Sequence, residues 1–351
     1  MADKILMKGN EAIAEAAIAA GCHYFFGYPI TPQNELPEYM SRRLSQIGGA
    51  FVQAESETSA INMVYGAASA GVRTMTSSSS PGVSLKQEGI SYLVGSELPC
   101  VVVNMMRGGP GLGSIQPAQG DYFQTVKGGG HGDYRMITLA PATVQEMIDL
   151  TRDAFELADA YRNPVIILGD GMLGQMMEPV VIPEAITPPS NKPWATVGTG
   201  GTREPNIVNS LFIEADACEA HNIRLQAKFA EMEREVRYET INPEAEIMLV
   251  AYGTTARICR TAMDLATKNG LSVGLIRPIS LFPFPTKAFT ETVATTKCYL
   301  TVEMSAGQMV DDVRLALEGQ RPVHFYGRMG GMVPTVQEIL AKLTEIAEGG
   351  K

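Results

Sequence analysis

Glu57 points where its helix points its apolar residues. In Phe51–Gly71, FVQAESETSAINMVYGAASAG, an apolar lead-in breaks at Ser56, and Ile61, Val64 and Ala68 then recur at helical spacing. Glu57 falls on that same face, one turn before Ile61, whereas Glu55 precedes the helix and Glu88 belongs to another element. A carboxylate on a buried face needs a partner, because an unpaired buried charge is costly. Read locally, it is equally well a first-turn acid that favours the helix dipole. Thr31 is the second candidate: Pro29-Ile30-Thr31-Pro32 fixes the backbone on either side of one hydroxyl and presents it rigidly. Arg107 ends an apolar run and opens the glycine-rich stretch Gly108 to Gly113. His23, His131, His221 and His324 show no metal-ligand spacing, and at least two lie in or beside strands, where core packing is expected. Cys22, Cys100, Cys218, Cys259 and Cys298 form no CxxC pair. They encode neither a disulfide framework, a zinc site nor a cysteine-ligated cluster, and read as small buried hydrophobes.

These residues sit at the joints of an alternating chain. The pattern predicts a helix over Asn10–Ala20, a strand over His23–Tyr28, a helix to about Leu44, the Phe51 strand and the Glu57 helix. Strand Arg73–Ser77, helix Ser84–Val94 and strand Cys100–Met106 follow. After a glycine-rich passage come strand Met136–Leu139, helix Thr143–Tyr161 and strand Pro164–Leu168. Such alternation is the signature of a parallel sheet covered on both faces, with ligands at the carboxyl ends of its strands. From Met177 to Pro205 prolines, glycines and threonines thicken into a linker draped over a surface, and a charged helix over about Glu214–Tyr238 bridges to a second α/β unit. That unit is read as strand Ile247–Tyr252, helix Thr255–Asn269, strands Ser272–Ile276 and Cys298–Glu303, helix Met309–Leu317 and strand Pro322–Tyr326. The division expected is residues 1–175, 176–242 and 243–351.

With 351 residues, 45% of them hydrophobic and 19% charged, the chain is a globular protein of about two domains. A net charge of -10 argues against a nucleic-acid or membrane-surface partner, since either calls for a basic face. No apolar run is long enough for a bilayer. The Met1 end lacks the basic start and apolar core of a signal peptide, so a cytoplasmic, reducing setting is expected. Gly109-Pro-Gly111-Leu-Gly113 brings its third glycine one residue too early for a dinucleotide fingerprint, and no helix opens behind it. Gly169-Asp170-Gly171 resembles the start of the motif that holds magnesium and pyrophosphate in thiamin enzymes. The chain then enters prolines and offers only Asn191 for that motif's paired asparagines, so this reads as a strand-end turn.

Taken together, nine stretches resemble the alpha subunit of the thiamin-dependent 2-oxoacid:ferredoxin oxidoreductases, and within that family the branch acting on 3-methyl-2-oxobutanoate. They are GNEAIAEAAIAAG (Gly9–Gly21), GYPITP (Gly27–Pro32), AESE (Ala54–Glu57), TSSSSPGVSLKQEGISY (Thr76–Tyr92), NMMRGGPGLG (Asn104–Gly113), QGDY (Gln119–Tyr122), GGGHGDYR (Gly128–Arg135), EMSAGQM (Glu303–Met309) and GRMGG (Gly327–Gly331). The one departure is Ser305, where many relatives carry Asn.

The resemblance implies a pyrimidine-type thiamin diphosphate-binding domain followed by a transketolase C-terminal-like domain. It implies that Glu57, with Glu55 as the fallback, bonds the aminopyrimidine N1′ and thereby promotes loss of the thiazolium C2 proton. Pro29, Ile30, Ser79 and Ser80 are expected to line the cofactor, although helix capping is the simpler role for the run Ser77–Ser80. Thr31 would donate to the substrate's keto oxygen or carboxylate. Arg107 would grip the carboxylate in bidentate fashion or else hold its own turn, and His131 would be a mobile polar contact. The missing motifs imply partners: a beta subunit with the pyrophosphate-type domain and Mg2+, a ferredoxin-like iron–sulfur subunit, a gamma subunit, and ferredoxin as acceptor. The expected reaction is the coenzyme A-dependent oxidative decarboxylation of a branched-chain 2-oxoacid. Two alternatives are a 2-oxoglutarate enzyme, with Lys127 or Arg135 as a second cation, and a non-catalytic α/β scaffold.

Overall fold

At Cys100–Met106 every residue is buried, so both faces of that strand are covered, as a central strand of a parallel sheet requires. The computed structural model describes residues 4–349. Residues 1–3 and 350–351, the ends of the expected outer units, lie outside them. The first half runs β1 (Ile5–Lys8), α1 (Gly9–Ala19), β2 (Tyr24–Gly27), α2 (Glu35–Gln46), β3 (Ala50–Gln53), α3 (Glu57–Ser69), β4 (Thr74–Ser78), α4 (Ser80–Gly95) and β5 (Cys100–Met106). It continues with α5 (Tyr122–Val126), β6 (Ile137–Leu139), α6 (Val144–Tyr161), β7 (Pro164–Asp170), α7 (Gly171–Gln175) and β8 (Met177–Val180). The second half is α8 (Ala215–Met232), β9 (Tyr238–Ile241), β10 (Ile247–Val250), α9 (Gly253–Lys268), β11 (Val273–Pro278), β12 (Ser280–Phe282), α10 (Thr286–Thr292), β13 (Cys298–Glu303), α11 (Met309–Leu317), β14 (Val323–Gly327) and α12 (Val336–Ala347).

A seven-stranded sheet has the order β12-β6-β7-β5-β4-β2-β3, parallel except for β12. A five-stranded sheet has the order β14-β13-β10-β11-β9, parallel except for β9. The chain is therefore α/β throughout, with parallel sheets and crossover helices, as the alternation predicts.

Several details differ from the sequence reading. The first four linker residues form β8 and pair antiparallel with β1. The bridging helix stops at Met232, and β9 follows within what was read as its continuation and exit. β12 leaves the second unit to extend the first sheet beside β6; it is three residues long and Pro283 follows it, which leaves no periodicity to read. Among the histidines, His221 on α8 is the buried one, bonded to the Gly95 carbonyl, while strand-side His23 is exposed and His324 only half-buried. Four of the five cysteines are buried and all are free. Among the described residues no helix is long and apolar enough to cross a membrane.

Candidate active site

The carboxyl ends of β3, β2, β4, β5 and β7 lie along one edge of the large sheet, and the candidate residues stand on the segments that leave them. Ser56 caps α3 by accepting from the Ser59 amide, which places Glu57 in the first turn, 6% exposed, while Glu55 stays in solvent. The Glu57 carboxylate lies against the first turn of α4. A Cβ added to Gly82 would sit 2.5 Å from Glu57 Oε1 and 2.1 Å from Ser78 Oγ, so only glycine leaves room for both groups. A second close approach, Gly89 against Ile61, lets α3 and α4 pack along their length.

The hydroxyls of Ser78 and Ser79 are buried without a partner. Ser79 occupies the N-cap position of α4 but makes no side-chain cap, contrary to the capping role expected of it. Asn104, one strand away, accepts the Ser80 amide instead, at 3.1 Å. Ser80 donates to Asp121 at 2.6 Å and Asn104 donates to the same oxygen at 2.9 Å, so the Ser80 hydroxyl is already committed. Burial pushes the Asp121 carboxyl above its ordinary range. Behind this row Lys86 is fully buried, its ammonium donating to Thr76 Oγ1 (2.7 Å) and to the Ser77 carbonyl (3.0 Å). Burial lowers Lys86 to about 7, and Glu57 opposes that fall.

Thr31 sits in a loop tied down on both sides. Its carbonyl accepts from Arg107 Nη1 at 2.9 Å, and the Pro32 carbonyl accepts from Asn10 (2.9 Å) and Gln175 (3.1 Å). Arg107 spends its other terminal nitrogen on the Leu112 carbonyl at 2.9 Å and keeps a buried Nε without a partner. Of its two expected roles, holding its own turn is the one its hydrogen bonds make. Beside Thr31 opens a cavity of about 540 Å³ lined by Pro32, Ile115, Met172, Met176 and uncharged neighbours. Pro29 is exposed and borders a different, smaller hollow, and Ile30 is half-buried. His131 is exposed on a loop whose glycines pack against Gln87 and Ser91 of α4, away from Thr31. Lys127 pairs with Asp312, and both it and Arg135 line another cavity beside Phe282. Asp170 caps α7 through the amides of Met172 and Leu173.

Sequence reasoning missed Lys86, Asn104, Asp121, Asn10 and Gln175. Lys86 had the signal that revealed Glu57, a charge in register with the apolar Val83 and Ile90 of its helix. The others are distant hydrogen-bond partners, for which no local pattern exists.

Over Gly82, where the missing Cβ leaves a notch, Glu57 meets the orphaned Ser78 hydroxyl at the carboxyl edge of the sheet, a setting that suits the aminopyrimidine end of thiamin diphosphate. Comparison with known proteins gives the family. Residues 15–241 match the family described as pyruvate flavodoxin/ferredoxin oxidoreductase, thiamine diphosphate-binding, and residues 245–339 match pyruvate:ferredoxin oxidoreductase core domain II. The ketoisovalerate oxidoreductase subunit VorB of Methanothermobacter marburgensis is 54% identical over 97% of both chains. The 2-oxoglutarate synthase subunit KorA of Archaeoglobus fulgidus is 37% identical over 98% of both. The 2-oxoglutarate:ferredoxin oxidoreductase of Magnetococcus marinus, solved with 2-oxoglutarate, coenzyme A and succinyl-CoA, superposes with a TM-score of 0.85 at 29% identity, covering 98% of this chain and 65% of that one. A split-gene transketolase shares the fold, with a TM-score of 0.60 at 14% identity. The chain belongs to the 2-oxoacid:ferredoxin oxidoreductase family, as a subunit that carries its thiamin diphosphate-binding domain.

Proposed function

We propose that this chain is the alpha subunit of an enzyme that converts 3-methyl-2-oxobutanoate and coenzyme A to the branched acyl-CoA and carbon dioxide, with the electrons passing to ferredoxin. The observation that carries the substrate is the cavity beside Thr31: Ile115, Met172 and Met176 suit an isopropyl group, and among the described residues no charged side chain lines it. A 2-oxoglutarate carboxylate would ask for a cation there. Lys127 and Arg135, the candidates for that cation, border a separate cavity. The relatives agree in order, with VorB at 54% identity against 37% for KorA. A non-catalytic scaffold would need neither the buried Glu57 nor the glycine that accommodates it.

When bound, thiamin diphosphate supplies an acidic thiazolium carbon that adds to a keto group. This chain's part is to hold and orient. Glu57 would bond the N1′ position and share its proton, and the unpartnered Ser78 hydroxyl lies at the same notch over Gly82. Thr31 presents its hydroxyl to the oxoacid from a loop that Arg107, Asn10 and Gln175 immobilise. The neighbouring wall excludes water from the branched side chain. Arg107 keeps Nε for a substrate carboxylate, and a bidentate grip requires it to release the exposed Leu112 loop.

Asp170, the acid of the Gly-Asp-Gly turn, is spent on a helix cap, so the pyrophosphate and Mg2+ fall to a beta subunit. Iron–sulfur clusters fall to a further, ferredoxin-like subunit, beside a gamma subunit. We divide the chain at 1–175, 176–242 and 243–351, with β12 lent by the last unit to the first sheet. The test is coenzyme A-dependent viologen reduction by the complex purified with its co-expressed partners. The highest kcat/KM is expected with 3-methyl-2-oxobutanoate, and a preference for 2-oxoglutarate overturns the substrate assignment.

A further inference from the structure

Lys86 is an expensive residue where it stands. It is fully buried on α4, in register with Val83 and Ile90, and its ammonium is bonded to two uncharged oxygens of β4. No carboxylate among the described residues lies within ion-pairing distance of it. Burying a cation this way costs stability, and an unbranched apolar side chain would fill the same space without that cost. Packing alone therefore gives no reason for a lysine. Among the described residues the charge that acts on this ammonium is the Glu57 carboxylate, which favours its protonated form. The geometry explains the reach: Glu57 Oε1 lies over Gly82, and Lys86 follows Gly82 by one helical turn on the same buried side of α4.

We propose that Lys86 is a positioning residue for the reaction, the buried group that, while protonated, is the counter-charge holding the Glu57 carboxylate in its working state and orientation from behind the cofactor notch. The inference rests on Glu57 as the partner of the aminopyrimidine. Thr76 and the Ser77 carbonyl aim the ammonium. Ser77 in turn donates to Gln33, in the segment that follows Thr31, so the lysine braces the same edge that presents both Glu57 and Thr31. Lys86 itself touches neither substrate nor cofactor. It acts through Glu57, and the consequence is a dependence of one residue on the other that packing would not produce.

The test uses the complex with its co-expressed partners, loaded with thiamin diphosphate, and compares wild type, Lys86→Met, Glu57→Gln and the double variant. Two quantities are measured: steady-state turnover, and the rate at which the thiazolium C2 proton of bound cofactor exchanges with deuterium, followed by quench and NMR. Lys86→Met is expected to slow C2 exchange and kcat together by on the order of tenfold or more, the factor that one unit of proton affinity represents, with KM for the oxoacid little changed. Added to Glu57→Gln, it is expected to cost nothing further. Unchanged C2 exchange in Lys86→Met, or a full additive loss in the double variant, overturns the proposal. Should Lys86→Met fail to assemble, recovery of assembly in the double variant supports the charge pairing, and failure of both overturns it. Wild-type activity in Glu57→Gln would instead defeat the reading of Glu57 on which this rests, a result distinct from loss in Glu57→Gln with no effect of Lys86→Met.

Discussion

A carboxylate and an ammonium are both taken out of water at the α3–α4 contact, and the lysine bears a measurable cost for it. Its native value of about 7 lies far below the ordinary 10.5, with burial as the main cause and Glu57 opposing it. Between those two values the unfolded chain binds the extra proton, so stability rises with pH across that window; below it both states are protonated and the burial cost is felt in full. The melting temperature of the assembled complex is expected to climb more steeply from pH 7 towards 10.5 in wild type than in Lys86→Met, and equal slopes would contradict the assignment. Glu57 was legible because Ile61, Val64 and Ala68 give its helix a clear buried face. Lys86 obeys the same rule, in register with Ile90 and Leu93, and the signal was there to be read; starting its helix at Ser84 removed only Val83 from that pattern. Arg107 was legible as a strand-end residue able to hold its own turn, as it does through the Leu112 carbonyl, whereas its second partner, the Thr31 carbonyl far away in sequence, was not.

The element that sets the site is α4, and its start is where local reading failed. Ser77–Ser80 with Pro81 and Gly82 resembles a loop, yet Pro81 is tolerated in a first turn, where its missing amide costs no helical bond. The helix thereby begins four residues earlier than Ser84 and brings Gly82 under Glu57. Two glycines of this helix make separable predictions. Gly82→Ala forces its Cβ against Glu57 Oε1 and Ser78 Oγ, so assembled complex is expected to lose activity and thiamin diphosphate affinity by more than its melting temperature suggests. Gly89→Ala meets Ile61 at 2.5 Å and is expected to destabilise by about 1–3 kcal/mol, the usual scale of overpacking, with activity per folded complex retained. Thermal melting and cofactor titration of both variants distinguish the two outcomes. Long periodic elements such as α6 and β5 were readable to within a residue or two. β12 and β9 were not, since a three- or four-residue edge strand has too few positions to show alternation.

Across the molecule, the segment from Arg107 to Phe123 joins the two sheets. Gln119 exchanges hydrogen bonds with Met304 through both its backbone and its side chain, donates to the Tyr252 carbonyl and accepts from Thr255. Gln308 reaches Gly120 and Phe123, Tyr122 reaches Asp312, and Gly108 lies flat against Gly330 and Gly331. The motifs EMSAGQM and GRMGG of the second unit thus serve to dock it on the site loop of the first. Gln119→Ala strands several buried groups and is expected to cost about 1–3 kcal/mol, seen as a lower melting temperature and as faster proteolytic release of the second unit. An unchanged digestion pattern would refute that docking role. The alternation of strands and helices made the α/β class plain from the sequence, while the way one unit lends a strand to the other is a long-range pairing that no window of sequence contains. Because Asp170 is committed to a helix cap, the chain alone should bind thiamin diphosphate weakly and gain affinity only with the beta subunit proposed above.

The central claim is that this chain contributes the carboxylate that activates a shared cofactor. Its most direct test is coenzyme A-dependent viologen reduction with 3-methyl-2-oxobutanoate by complexes carrying wild-type chain or Glu57→Gln, with assembly checked by size and cofactor content. The assembled variant is expected to lose activity by roughly 10²- to 10⁴-fold, the range for a removed acid–base group. Full activity in an assembled Glu57→Gln complex would contradict the claim.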